Sequence, residues 1–310
     1  MNEFVLIPNN PVPEFAETFY FHDDENNKMR GLFARASSKF SSPRGTAIVC
    51  PGRTEPIEKH FEVIRDLQDR GFCVVAFDWP GQGLSFRLLD DPLAGYVDSF
   101  DRYIEALQRG LNVIEEKLEE GPRVVLAHSM GGAIALEAIR RQVLDVDAAA
   151  FCAPMWGLKI AKVLHPLVPI MCKLGFSQKI VRGHTHNETF KNNIISNYEP
   201  RWRIQQDLNA KNPEIALGEV TWGWVREALS VSKGFAKAKS LEHLHIPMMV
   251  ASAQEEALVD NNTHNSISKR IKSMEHINVA GAKHEILMET DARRERFFVA
   301  FDKMLDRAGV

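Results

Sequence analysis

The residues best suited to chemistry lie in the run Val124-Val125-Leu126-Ala127-His128-Ser129-Met130-Gly131-Gly132-Ala133. A serine Oγ is a weak nucleophile until it is presented sharply and deprotonated by a neighbouring base. An apolar strand, a serine in a turn of small residues and a following helix can present it, provided small residues stand two before and two after the serine. Here those positions are Ala127 and Gly131. Glycine is usual at both, so the pattern is A-x-S-x-G, in which alanine still fits a close approach. The N–H groups at the helix start, beginning with Met130, would face a developing oxyanion. A structural serine in a tight strand-to-helix turn is the plainer alternative. The agreement of strand, turn and helix favours the chemical reading.

Such a serine needs a carboxylate and then a histidine later in the chain. His284 lies in Gly281-Ala282-Lys283-His284-Glu285-Ile286-Leu287, after the last strand pattern and before the last helix. It is one of 11 histidines, and its position singles it out. The acid must accept the Nδ1–H of that histidine and hold the ring in the right tautomer. The loop Gln254-Glu255-Glu256-Ala257-Leu258-Val259-Asp260 offers three carboxylates. Leu258 and Val259 turning back to the core favour Glu256. Asp260, ahead of Asn261 and Asn262, suits a helix cap, and it stays open as the alternative acid. A second oxyanion donor should come from a loop after an early strand. In Cys50-Pro51-Gly52-Arg53-Thr54-Glu55, Gly52 would let the backbone approach a substrate and the Arg53 N–H would donate. A plain Pro-Gly turn is the alternative.

The elements that must hold these groups follow a βαβα rhythm. Strands are read at Ala47–Cys50, Phe72–Phe77, Val124–Ala127 and Ala148–Ala153. Helices are read at Ile57–Asp69, Asp98–Leu118 and Ala133–Val143. Continuous apolar runs of this kind suit buried parallel strands, so the fold class is α/β with a doubly wound, mostly parallel sheet. The rhythm stops near Pro154 and resumes with a strand at Ile246–Ala253, a helix near Thr263–Ile271, a strand at Glu275–Ala280 and a helix from Asp291. A connection of about 90 residues is too long for an ordinary loop. The expected organisation is core 1–153, a mostly helical cap 154–244 and core 245–310.

Composition narrows the function further. The 310 residues are 45% hydrophobic and 25% charged, with formal net charge −3. That is globular, and it lacks the basic excess of a nucleic-acid binder. Cys50, Cys73, Cys152 and Cys172 are spread without metal or redox spacing, which reads as reduced, mostly buried thiols. Met1–Tyr20 has no apolar leader segment, and no run of 18 apolar residues exists. A cytoplasmic protein is expected, with peripheral contact to the inner face of the membrane as a further expectation. His184 and His186 have no further ligands at metal spacing, so no metal is expected.

The chain resembles the serine aminopeptidase S33-like hydrolases that include lysophospholipase L2 and monoacylglycerol lipase. The likeness rests on Pro51-Gly52-Arg53 with Glu55, on Asp78-Trp79-Pro80-Gly81-Gln82-Gly83-Leu84-Ser85, and on Ala127–Gly132. It extends through Thr221-Trp222-Gly223-Trp224, Glu255–Asn261 and Gly281–Leu287. Pro80 stands where the family usually has arginine. The resemblance implies an α/β-hydrolase fold and a triad of Ser129, Glu256 and His284, with Arg53 and Met130 as oxyanion donors. It implies carboxylic-ester hydrolysis of a lysophospholipid or monoacylglycerol through an acyl-enzyme, with no cofactor. Other acyl chemistry on the same triad (peptidase, lactonase, thioesterase) and a silent ligand-binding homologue are the alternatives. In the cap, Leu164, Leu167, Val168, Ile170, Met171 and Leu174 could line an acyl pocket or pack the cap on the core. With Lys159, Lys162, His165, Lys173, Arg182, Lys191, Arg201 and Arg203 they make a basic apolar segment suited to a lipid surface; a solvated polar face is the alternative.

Overall fold

The computed structural model describes residues 4–118, 120–160, 165–181 and 189–310. Leu164, Lys162, Arg182, His184 and His186 lie outside the described residues. The sheet opens with a hairpin absent from the sequence reading. β1 (Ala16–His22) and β2 (Lys28–Ala34) pair antiparallel, Ala16 opposite Ala34 and His22 opposite Lys28. The pattern is obscured by Arg30 and Gly31. Arg30 puts a charge inside a buried strand. Gly31 yields its side-chain space to the Phe19 ring, whose Cζ lies 2.2 Å from where a Cβ would stand.

The other strands are β3 (Gly45–Cys50), β4 (Phe72–Phe77), β5 (Arg123–His128), β6 (Ala148–Cys152), β7 (Met248–Ala253) and β8 (Met274–Val279); β3 to β7 follow apolar runs, while β8 carries Glu275, His276 and Asn278. Their spatial order is β1-β2-β4-β3-β5-β6-β7-β8, parallel from β4 to β8. β2 joins β4 antiparallel. Alternate residues of β3 serve opposite layers. Ile48 and Cys50 pack with α2 (Asp101–Val113) and α3 (Ser129–Arg140), while Ala47 and Val49 pack with α1 (Phe61–Gln68) and α8 (Asp291–Ala308). The helix read over 98–118 is shorter, ending at Val113 before a 3-10 turn at Glu115–Lys117. The helix read from Ala133 begins four residues earlier, at Ser129 itself.

Between β6 and β7 the chain is mainly helical. α4 (Leu167–Met171) runs into a π turn at Cys172–Phe176, followed by α5 (Glu199–Lys211) and α6 (Trp222–Lys237). Pro200 sits in the first turn of α5, where a missing N–H costs nothing. The Thr221 hydroxyl caps α6 by accepting the Trp224 N–H at 3.3 Å. Trp224, Val225, Ala228 and Phe235 of α6 join the core layer that holds α2 and α3. α7 (Asn261–Arg270) then precedes β8. Among the described residues no helix is long and apolar enough to cross a membrane. Cys50, Cys73 and Cys152 are buried free thiols, and Cys172 is half-buried.

The interior charge at Arg30 organises one side of the site. Its guanidinium donates to Glu58 at 2.8 and 2.8 Å, and to Asp78 at 2.8 Å, with all three side chains fully buried. Asp78 also accepts the Ile57 and Leu84 N–H groups at 3.0 and 2.7 Å. The segment with Pro80 in place of the usual arginine is thus held by a cation from β2. The next residue, Trp79, donates its indole N–H to the Pro51 carbonyl at 2.8 Å. Removing one partner of a buried charge cluster leaves the others unpaired, at about 3–5 kcal/mol. Arg30→Met is therefore expected to lower unfolding stability by about that amount, measured by urea denaturation. A loss below about 1 kcal/mol would contradict this account of the cluster.

Candidate active site

Ser129 stands where β5 ends and α3 begins, and its backbone has φ +49°. A non-glycine residue held there stores strain on the order of 1–3 kcal/mol. The surroundings enforce it. A Cβ on Gly131 would lie 2.1 Å from the Cys50 carbonyl oxygen and 2.5 Å from that of Pro51. A Cβ on Gly132 would meet Pro154 Cβ at 2.5 Å. Ala127 is fully buried, so its methyl is accommodated where glycine is usual. The Ser129 carbonyl accepts the Met155 N–H at 2.8 Å, tying the turn to the chain beyond β6.

Three of the side chains named from sequence form a hydrogen-bonded line. His284 Nε2 is 2.8 Å from Ser129 Oγ, and His284 Nδ1 is 2.7 Å from Glu256 Oε2. The carboxylate only accepts, so Nδ1 carries the proton and Nε2 is free to accept from the serine. The other Glu256 oxygen accepts the N–H groups of Ala257, Leu258 and Val259 at 2.9, 2.8 and 3.3 Å. Burial pushes this carboxyl up. The bond and charge of His284 and the Leu258 and Val259 N–H groups outweigh it, bringing the pKa down to about 2. Glu255 instead accepts from Asn197 Nδ2 at 3.0 Å. Asp260 accepts the Asn262 N–H at 3.0 Å and caps α7.

Arg53 and Met130 line the same cavity as Ser129 and His284, with a volume of about 870 Å³. Its apolar wall includes Met155, Leu158, Val181, Ile194 and Trp222. Of the residues read as an acyl pocket, Val168 lines it. Leu167, Ile170 and Leu174 point outward instead, at 38%, 52% and 66% exposure. In so short a helix only one position turns inward. The basic segment is also less free than its sequence implies. Arg201 pairs with Glu62 and Asp291, Arg203 pairs with Glu199, and Lys159 donates to the Glu256 carbonyl at 2.6 Å. The Arg53 side chain reaches the Gly218 carbonyl and lies 5.5 Å from the centre of the Trp224 ring. Burial pushes its pKa down to about 10.

Sequence reasoning gave no role to two ionisable side chains beside the site. Glu55 Oε2 accepts the Gly52 N–H at 2.5 Å and lies 2.9 Å from His128 Nδ1. The available signals were a glutamate four residues before a lysine and a histidine ending an apolar strand. Neither spacing says that the two meet.

The family model described as serine aminopeptidase, S33, matches residues 41–291. The chain belongs to this family. Lysophospholipase L2 of Escherichia coli is 32% identical over 80% of this chain and 76% of its own. The probable lysophospholipase L2 of Haemophilus influenzae is 26% identical over 98% and 97%. A monoglyceride lipase from Saccharomyces cerevisiae shares the fold, with a TM-score of 0.75 at 18% identity over 97% of both chains. This S33 family member is a serine ester hydrolase on the α/β-hydrolase fold.

The depressed Glu256 pKa has a pH consequence. A carboxyl with a lowered folded-state pKa adds stability above its unfolded pKa, near 4.5, and loses it as pH falls towards about 2. The stability gap between wild type and Glu256→Gln is expected to be full at pH 5–6 and to shrink as the pH drops below about 4. Urea melts across that range measure it. A gap independent of pH would show that Glu256 is not held ionised by these partners.

Proposed function

We propose that this chain hydrolyses the carboxylic ester of lysophospholipids, or of the related monoacylglycerols, through Ser129, His284 and Glu256. The observation that carries the reading is the line Glu256–His284–Ser129, at 2.7 and 2.8 Å, opening on a cavity of about 870 Å³. Ser129 Oγ attacks the ester carbonyl carbon as His284 Nε2 takes its proton. Glu256 holds the ring and offsets the imidazolium charge. The tetrahedral oxyanion accepts from the Arg53 and Met130 N–H groups. Its collapse expels the alcohol, which leaves with the proton from His284. Water then gives His284 a proton and attacks the acyl-serine; Ser129 Oγ leaves with that proton, and the fatty acid is freed. The lysophospholipase names of the two bacterial relatives favour a lysophospholipid head group.

Residues 154–244 act as the cap of two core segments, 1–153 and 245–310. The outward Leu167, Ile170, Leu174 and Phe176 sit beside the exposed Lys173 and Lys179. Apolar tips among cations suit contact with an anionic lipid surface.

Ser129→Ala is expected to lower kcat by about 10⁴-fold or more and to abolish fluorophosphonate labelling. The substrate panel is lysophosphatidylcholine, monoacylglycerol, short p-nitrophenyl esters and aminoacyl amides. The highest kcat/KM is expected with the two lipids, and a preference for amides would overturn the substrate assignment. Ile170→Asp with Leu174→Asp is expected to weaken sedimentation with phosphatidylglycerol vesicles about tenfold or more. Unchanged sedimentation would refute the membrane contact.

A further inference from the structure

Four ionisable side chains outside the proposed reaction meet at the cavity wall, which all four help to line. Glu55, Lys59, His128 and Glu285 are all within 6% of full burial. Lys59 Nζ bridges Glu55 Oε1 at 2.9 Å and Glu285 Oε1 at 2.5 Å. Glu55 Oε2 accepts the Gly52 N–H at 2.5 Å and lies 2.9 Å from His128 Nδ1 and 3.2 Å from His60 Nε2. On the other edge of the His128 ring, Nε2 lies 3.4 Å from the His284 carbonyl. Moving charges out of water costs several kcal/mol per ion. A hydrophobic filling would be as stable, so the cluster calls for a reason other than stability.

Its connections supply one. The cluster joins the three chain segments that carry the proposed machinery. Glu55 belongs to the loop with the Arg53 N–H, His128 directly precedes Ser129, and Glu285 directly follows His284. The approach is close enough that a Cβ on Gly52 would lie 2.7 Å from Glu55 Oε2 and 2.9 Å from His128 Nδ1. Both partners of the His128 ring, a carboxylate and a carbonyl, can only accept. Each ring nitrogen must therefore donate, which makes His128 an imidazolium. With that charge the cluster balances, two carboxylates against one ammonium and one imidazolium. The groups around His128 are Glu55, Lys59 and His60 from the segment after β3, Cys152 opposite it on β6, and His284 and Glu285 from the loop after β8. Burial pushes its pKa down, but the neighbouring Glu55 carboxylate more than offsets this and holds it above the ordinary histidine value.

We propose that Glu55 and the His128 imidazolium are positioning residues that set the Arg53 N–H against the oxyanion formed at Ser129. The proposal rests on the reading of Ser129 as nucleophile and of Arg53 as a donor. Neither Glu55 nor His128 touches the reacting atoms; both act through the loop backbone.

The test compares wild type with Glu55→Gln, a neutral side chain of equal length. With p-nitrophenyl butyrate, kcat is expected to fall about 10²-fold, the scale of one lost oxyanion donor, with KM within about 3-fold. A trifluoromethyl ketone, which forms the tetrahedral adduct, should lose affinity by the same factor as kcat/KM. A non-hydrolysable ether analogue of the substrate should bind as before. Equal loss for ketone and ether, or a folded Glu55→Gln with kcat within about 3-fold of wild type, overturns the proposal. If the variant fails to fold, ¹⁵N-histidine spectra of wild type decide: His128 must show both ring nitrogens protonated at pH 7, and a neutral ring refutes it. Fluorophosphonate labelling separates the two layers. A wild type that does not label brings down the nucleophile assignment and this proposal together. Equal labelling rates in wild type and Glu55→Gln bring down the positioning role alone.

Discussion

The first turn of α3 approaches the end of β3 closely enough to exclude any side chain at Gly131, and much else depends on that contact. The approach forces Ser129 into a left-handed backbone conformation and turns its Oγ outward. It also brings the N–H of Met130 and the loop after Cys50 to one side of the serine. A fully buried parallel sheet supplies the rigidity, since β3 and β5 are neighbours hydrogen-bonded from Thr46 to Cys50. The strain at the serine persists because packed strands on both sides leave it no relaxed alternative.

Electrostatics then completes what packing begins. The site stands on two buried ionic groups: the Arg30 triad behind the segment 78–85, and the Glu55–Lys59–Glu285 bridge between the loop after β3 and the loop that carries His284. Together they replace water at four backbone N–H groups that a purely apolar core would orphan. Glu58 takes the Val5 N–H, Asp78 takes those of Ile57 and Leu84, and Glu55 takes that of Gly52. The loops around the serine are thus held mainly by carboxylates, which fix direction more sharply than apolar contact does.

Much of this was legible in the residues. The runs that became β3 to β7 are apolar because both faces of each central strand are covered, and that leaves a plain mark in the sequence. The meeting of Ser129, Glu256 and His284 follows from their order along such a sheet, and Asp260 caps α7 as its asparagine neighbours suggested. The hairpin β1–β2 left no such mark, because Arg30 serves the distant Glu58 and Asp78 while Gly31 makes room for Phe19 across the hairpin. Leu167, Ile170 and Leu174 look like core by composition, but a five-residue helix and the π turn after it have too few turns to bury them. Glu55 and His128 are 73 positions apart, so their pairing exists only once the sheet has formed.

Arg53 has a double attachment. It belongs to the loop after β3 that lines the cavity with Ser129, while its guanidinium reaches to Gly218 and the face of Trp224. Roof and floor are therefore spanned by a single residue, about seven bonds from end to end. Any swing of the segment around Gly218 that enlarges the entrance must stretch, swivel or release that tether. The width of the cavity and the placing of the loop after β3 are thus mechanically linked through one side chain.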